Sequence, residues 1–139
     1  MDLILCRFDK LNKNDVRLVF AGAKRTLYVI HKDNPELIRL KGDRKSIGGT
    51  ENANKKIRFN NHEVLLGKGD CIYLSTDGII DQNGPDRKRF GSKRLEDLIV
   101  NNYSFSISEQ NENINKELGK FMQSEEQRDD ITLLGLRII

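Results

Sequence analysis

The chain has 139 residues, with 24 lysines and arginines against 21 aspartates and glutamates, for a formal net charge of +3. Apolar residues make up 37% and charged residues 32%, which excludes a disordered tail and fits a single folded domain with its own core. No apolar run is long enough to span a bilayer and residues 1–20 carry no signal-peptide pattern, so the reading is a cytoplasmic protein with no membrane partner.

In chain order, the first half reads as strands. Residues 3–8 (LILCRF) and 16–21 (VRLVFA) are short apolar runs separated by the polar segment DKLNKND. Residues 26–31 (TLYVIH) and 37–40 (LIRL) flank KDNPE, whose Asn and Pro predict the turn of a hairpin. The polar stretch 41–56 has no period and predicts a loop; 57–59 (IRF) and 62–66 (HEVLL) resume the extended pattern. GKGD at 67–70 is a turn, and CIYLST at 71–76 is apolar enough for a central strand.

After residue 77 the period changes. Ser92 is placed to cap a helix over 93–101, with Leu95, Leu98 and Ile99 on one stripe. A second helix is predicted over 108–123, where Ile114, Leu118, Phe121 and Met122 share a face. Gly119 weakens that helix by about 1 kcal/mol relative to Ala, which a packed element tolerates. The final run ITLLGLRII predicts a buried strand. Strands, then helices, then a strand indicate an α+β domain built on antiparallel sheets.

Cys6 and Cys71 lie inside apolar runs and read as reduced thiols, and the only histidines, His31 and His62, make no zinc-spaced set with them. The basic run of Arg87, Lys88, Arg89, Lys93 and Arg94 reads as a solvated loop entering a helix. Phe90 is its one aromatic neighbour, too little for a nucleic-acid surface.

Two acidic sites stand out by position. Asp77 follows directly on the apolar strand CIYLST, with Gly78 next to it allowing close backbone approach. Asp129 and Asp130 come directly before the last apolar run. Carboxylates at the ends of rigid strands can converge on one point, and hard cations such as Mg²⁺ and Mn²⁺ take such oxygen ligands. The plain alternative is that each is a turn former.

The ordered segments FAGAKRTLYVI (20–30), LLGKGDCIYLSTDGIIDQ (65–82), FGSKRLEDLI (90–99) and RDDITLLGLRI (128–138) resemble the C-terminal part of the metal-dependent protein phosphatase 2C superfamily. The branch they match is the bacterial sporulation-stage-II-E type. The resemblance implies an antiparallel β-sandwich flanked by helices, with metal ions at one end. By the same resemblance Asp77 and Asp129 are metal ligands, with Gly78 and Asp130 in support. The implied cofactors are Mn²⁺ or Mg²⁺, two ions in intact members. The implied reaction is hydrolysis of phosphoserine or phosphothreonine by a water activated between the ions. The implied substrate is a phosphorylated signalling regulator, such as an antagonist of an anti-sigma factor.

The chain departs from that pattern in ways that carry consequences. The family's earlier Asp-Gly motif, whose aspartate bridges the two metals, has no counterpart, because the only Asp-Gly is Asp77-Gly78. The family's Ala-Gly-His turn stands here as Ala21-Gly22-Ala23, and neither histidine has the neighbours of the family's acid. Met1 corresponds to the middle of the family domain. Residues 1–139 are therefore expected to be a single partial domain, its C-terminal part, with weak or absent metal binding and no catalysis alone. No catalytic residue is assigned. A sheet face stripped of its covering helices predicts a homo-oligomer. The second reading, from a different class, is a catalytically silent phosphatase-like interaction module.

Overall fold

Alternating side chains sort the strands onto two antiparallel sheets. The structure is a computed structural model and describes residues 1–48 and 58–139. One sheet has the order β1-β2-β5, from Leu3–Lys10, Asp15–Ala23 and His62–Gly67; the other has the order β4-β3-β6-β7, from Asn34–Lys41, Thr26–His31, Cys71–Ser75 and Leu133–Arg137. Between them Leu18, Phe20 and Leu66 of the first sheet meet Leu27, Val29 and Ile72 of the second, all fully buried. Each such side chain contributes roughly 1.5–3 kcal/mol.

The opposite face of the four-stranded sheet carries the helices α1 (Gly78–Asp81), α2 (Gly91–Asn102) and α3 (Ile107–Met122). Here Tyr28, Ile30, Cys71 and Tyr73 pack against Ile79, Leu95, Ile99 and Leu118. Arg39 of β4 grips Glu96 of α2 through two hydrogen bonds, of 2.9 and 2.7 Å, and fixes the helix on the sheet. The sandwich of antiparallel sheets with helices on a face is the α+β architecture expected from the sequence. No helix among the described residues is long and apolar enough to cross a membrane.

Several local expectations need correction. Strand β4 starts at Asn34 rather than residue 37, because Lys32 and Asp33 alone make the turn. Pro35 fits there because β4 is an edge strand, where a missing N–H costs no ladder bond. Residues 58–60 form no strand, and Ile57 lies outside the described residues, as do 49–56 of the predicted loop. Ser92 lies inside α2, not at its cap; Phe90 is the N-cap and provides no side-chain bond. Helix α3 instead starts one residue earlier under a full capping box, in which Ser106 accepts from the Glu109 N–H and the Glu109 carboxylate accepts from the Ser106 N–H.

The last strand is not buried. It is an edge strand with Leu134 50% and Leu136 37% exposed. The short helix α1 had no sequence signal. Both cysteines are free thiols, Cys71 buried and Cys6 only partly so. The basic run is engaged within the fold: Arg89 pairs with Asp81 at 2.9 Å, Lys93 with Asp97 at 2.7 Å, and Arg94 stacks over the Phe121 ring. Phe90 is buried, edge-on to Phe121, and offers no surface for stacking a base.

Candidate metal centre

The two acidic segments meet at one corner of the four-stranded sheet. Beyond the end of β6 the Thr76 N–H donates to the Thr132 carbonyl at 3.0 Å, and the Thr132 N–H donates to the Thr76 hydroxyl at 2.9 Å. That hydroxyl in turn donates to the Asp130 carbonyl at 2.9 Å. Gly78 presses on the same peptide: a Cβ there would collide with the Asp130 carbonyl. Absence of a side chain is thus what lets the Asp77 turn and the Asp129–Asp130 segment pack backbone to backbone.

Asp77 leads into α1, where its carbonyl accepts from the Asp81 N–H at 2.9 Å. Its carboxylate, 41% exposed, forms an ion pair with the Arg25 guanidinium at 2.8 Å. The same Arg25 nitrogen, Nη2, reaches Asp2 at 3.1 Å. The other Asp2 oxygen accepts from the Ser46 hydroxyl at 2.9 Å. The Arg25 guanidinium beside it holds the Asp77 carboxyl below the usual carboxylate range against the opposing effect of partial burial. Asp129 and Asp130 are exposed, and the Asp129 carboxylate accepts from the Asp130 N–H at 2.7 Å.

These donors do not by themselves fit a divalent-metal centre. Among the described residues no group of three or more His, Cys, Asp or Glu side chains is placed to hold an ion. Asp77 faces a guanidinium and Asp129 is turned to a neighbouring amide, whereas Mg²⁺ and Mn²⁺ want an octahedron of oxygens. The histidines lie elsewhere. His31 bonds Asp70 at 2.7 Å at the far end of β3, and His62 lies beside the Phe20 ring.

Two residues of this corner escaped the sequence reading, Asp2 and Arg25. Their signal lies in strand register. Continuing the β3–β6 pairing two residues past Leu27↔Leu74 puts Arg25 opposite Thr76, beside Asp77. Continuing β1–β2 past Leu3↔Ala23 puts Asp2 opposite Lys24.

Comparison with known proteins agrees with this architecture. The family described as Stage II sporulation protein E (SpoIIE) matches residues 1–139. The SiaA-PP2C domain of Pseudomonas aeruginosa is 38% identical with a TM-score of 0.77, over 88% of this chain and 47% of that one. The phosphatase domain of the cell fate determinant SpoIIE from Bacillus subtilis is 14% identical with a TM-score of 0.64, over 99% of this chain and 56% of that one. The serine/threonine phosphatase PstP/Ppp of Mycobacterium tuberculosis shares the fold at 13% identity and a TM-score of 0.52, over 97% of this chain and 59% of that one. The chain thus spans about half the length of the solved structures it matches. No curated protein matches it. With a match running from the first residue to the last and a shared fold, the chain belongs to the stage II sporulation protein E family.

Proposed function

We propose that this chain forms the C-terminal part of a metal-dependent protein serine/threonine phosphatase domain that acts on a phosphorylated bacterial signalling protein in the cytoplasm. In this reading Asp77 and Asp129 are its carboxylate contribution to a Mn²⁺ or Mg²⁺ centre, with Gly78 and Asp130 holding the two segments together. The remaining ligands come from outside these 139 residues, so the chain alone is inactive, and it self-associates. A phosphorylated antagonist of an anti-sigma factor is the substrate class the family resemblance favours.

The observation that carries the reading is the clasp of Thr76 and Gly78 on Asp130. It brings segments 54 residues apart in sequence to one corner, each with a carboxylate. The Arg25–Asp77 ion pair favours the second reading, a silent interaction module, because it neutralises a carboxylate the chemistry would use.

The test is hydrolysis of p-nitrophenyl phosphate in Mn²⁺ by two proteins. One is this chain; the other is this chain joined to the portion of the SiaA domain that it does not match. The chain alone is expected to be inactive and the joined protein active. Asp77→Asn or Asp129→Asn should each lower the activity of the joined protein by about 100-fold. A folded joined protein without Mn²⁺-dependent activity would establish the silent module instead.

A further inference from the structure

The two edges of the four-stranded sheet are built differently. β4 carries Pro35, Glu36, Arg39 and Lys41, a proline and charges of the kind that keep an edge from pairing with another chain. β7 reads Leu-Leu-Gly-Leu-Arg, and its one charge is committed within the fold. The Arg137 guanidinium donates to the Tyr103 carbonyl at 2.6 Å and to the Phe105 carbonyl.

The outer side of the β7 main chain has no partner among the described residues. Thr132 and Ile138 turn inward to the neighbouring strand: the Thr132 carbonyl accepts from the Thr76 N–H at 3.0 Å, and the Ile138 N–H donates to the Asp70 carbonyl at 2.9 Å. The register between them is unbroken, so Leu134 and Leu136 turn inward as well. The N–H and C=O groups of Leu133, Gly135 and Arg137 therefore point out from the sheet edge. Beside that edge a cleft of about 660 Å³ opens between β7 and α3, with Tyr73, Ile107, Ile114, Leu118 and Leu133 in its walls. In a chain that is 32% charged, none of the 14 residues lining the cleft carries a charge. Depletion of charge is the mark of the centre of a protein interface.

The sequence around Gly135 is close to self-complementary. Antiparallel pairing of two copies about this residue sets Gly135 opposite Gly135, Leu134 opposite Leu136 and Ile131 opposite Ile139. Leu134, Leu136 and Ile139 are 50%, 37% and 96% exposed in the single chain. In this register the outward groups of Gly135 bond their own counterparts, and those of Leu133 bond Arg137. The exposed leucines then meet at the closer, non-hydrogen-bonded positions. We propose that β7 is a self-association edge, through which two copies pair antiparallel about a two-fold axis at Gly135. The pairing joins two four-stranded sheets into one and brings the two uncharged clefts together. It supplies a surface for the self-association proposed for this chain and depends on no phosphatase chemistry, so the hydrolysis test can fail without it. Leu5 and Leu65 belong to the other sheet and lie outside this contact, where they can add copies beyond the pair.

The experiment is hydrogen–deuterium exchange of the unaltered chain, resolved to single residues by electron-transfer fragmentation, with sedimentation velocity at the same concentrations. Dilution from tens of micromolar to tens of nanomolar should speed exchange at Leu133, Gly135 and Arg137 by about tenfold or more as the dimer dissociates. Exchange at Leu134 and Leu136, already bonded within the sheet, should change far less. Replacing both leucines by lysine sets like charges opposite each other and should leave a monomer, with circular dichroism checking its fold. An oligomer in which Leu133, Gly135 and Arg137 exchange freely, or a dimer that survives both lysines, would overturn the proposal. Protection of those three amides in a monomer would mean that another segment of the same chain covers β7, and would overturn it too. A monomer at every concentration with the three amides unprotected would remove both this pairing and self-association itself.

Discussion

Thr76 and Asp130 are joined through one hydroxyl, which donates to the Asp130 carbonyl at 2.9 Å while accepting the Thr132 N–H at 2.9 Å. One side chain therefore satisfies two backbone groups beyond the regular ladder, and so decides where the acidic segment rests. Thr76→Val keeps the shape and removes the hydroxyl. Because the site is solvent-exposed, water takes up part of the loss, and the cost should be about 1 kcal/mol in urea unfolding. Thr76→Ser should recover most of it, and equal stability of the valine and serine forms would show that the hydroxyl is not the clasp.

Gly78 should be the less forgiving half of the same contact. Its backbone lies against the Asp130 peptide, whose carbonyl carbon would sit 2.8 Å from an added Cβ, and the obstruction is main chain that cannot rotate away. Gly78→Ala should cost about 2–3 kcal/mol, the range of overpacking at a tight site. By contrast, nothing lies within 4 Å of a Cβ on the helical Gly119. Gly119→Ala should therefore stabilise the chain by about 1 kcal/mol through helix propensity alone. Chemical denaturation of the two variants side by side measures this, and similar effects of the same sign would refute it.

The elements legible in the sequence were those whose signal is local. TLYVIH became β3 residue for residue because its ends are marked by the Lys24-Arg25 turn and by the Lys32-Asp33 turn. Helix α3 was legible from its apolar stripe, although its true cap, Ser106, needed the pairing with Glu109 to be noticed. The run ITLLGLRII misled because apolar content does not say whether a strand lies inside or at the edge of its sheet. Gly135 rests on the Tyr73 ring and the flanking Leu134 and Leu136 turn outward. Asp77 was legible as a carboxylate just past a strand, whereas Asp129 lies further from its strand than expected because β7 begins only at Leu133; the clasp of Thr76 and Gly78 on Asp130 was not legible, since it depends on a hydroxyl and an absent side chain. Arg25 was the hardest to see. A cation beside a carboxylate is visible only once two hairpins have been given a register.

Asp70 should control the acid end of the stability profile. It is buried, and its carboxylate accepts from the Gly67 N–H at 2.8 Å, the Lys32 N–H at 2.9 Å and the His31 ring at 2.7 Å, tying the β3–β4 turn to the β5–β6 turn. Burial pushes its pKa up, but the Lys32 and Gly67 amides and His31 together more than offset this and leave it below the ordinary carboxylate value. The folded state therefore favours the charged form. Its stabilisation is complete above the unfolded pKa of about 4 and is lost as pH falls through the lowered folded value. Unfolding free energy should drop between about pH 5 and pH 2, and Asp70→Asn should flatten that slope while costing about 1–3 kcal/mol at neutral pH. Parallel pH profiles for the two proteins would rule Asp70 out.

Self-association should follow from the uncovered face of the three-stranded sheet. Ile4, Cys6, Val64 and Leu66 turn inward to the core between the sheets, so the alternate residues Leu3, Leu5 and Leu65 point away from it, exposed by 40%, 65% and 56%. A second apolar strip, Leu134 and Leu136, lies on the edge strand β7, which also offers unpaired backbone groups. The exposed leucines of the three-stranded sheet flank the row of Arg7, Val19 and Glu63 on the same face, and apolar groups left in water at this level favour contact between copies. Sedimentation velocity at micromolar concentration should show a dimer or larger species. Because Leu5 and Leu65 are more than half exposed, replacing both by lysine should leave the melting temperature within a few degrees while shifting the population toward monomer. A monomer in the unaltered chain, or an oligomer indifferent to both charges, would mean that this face is not what drives association.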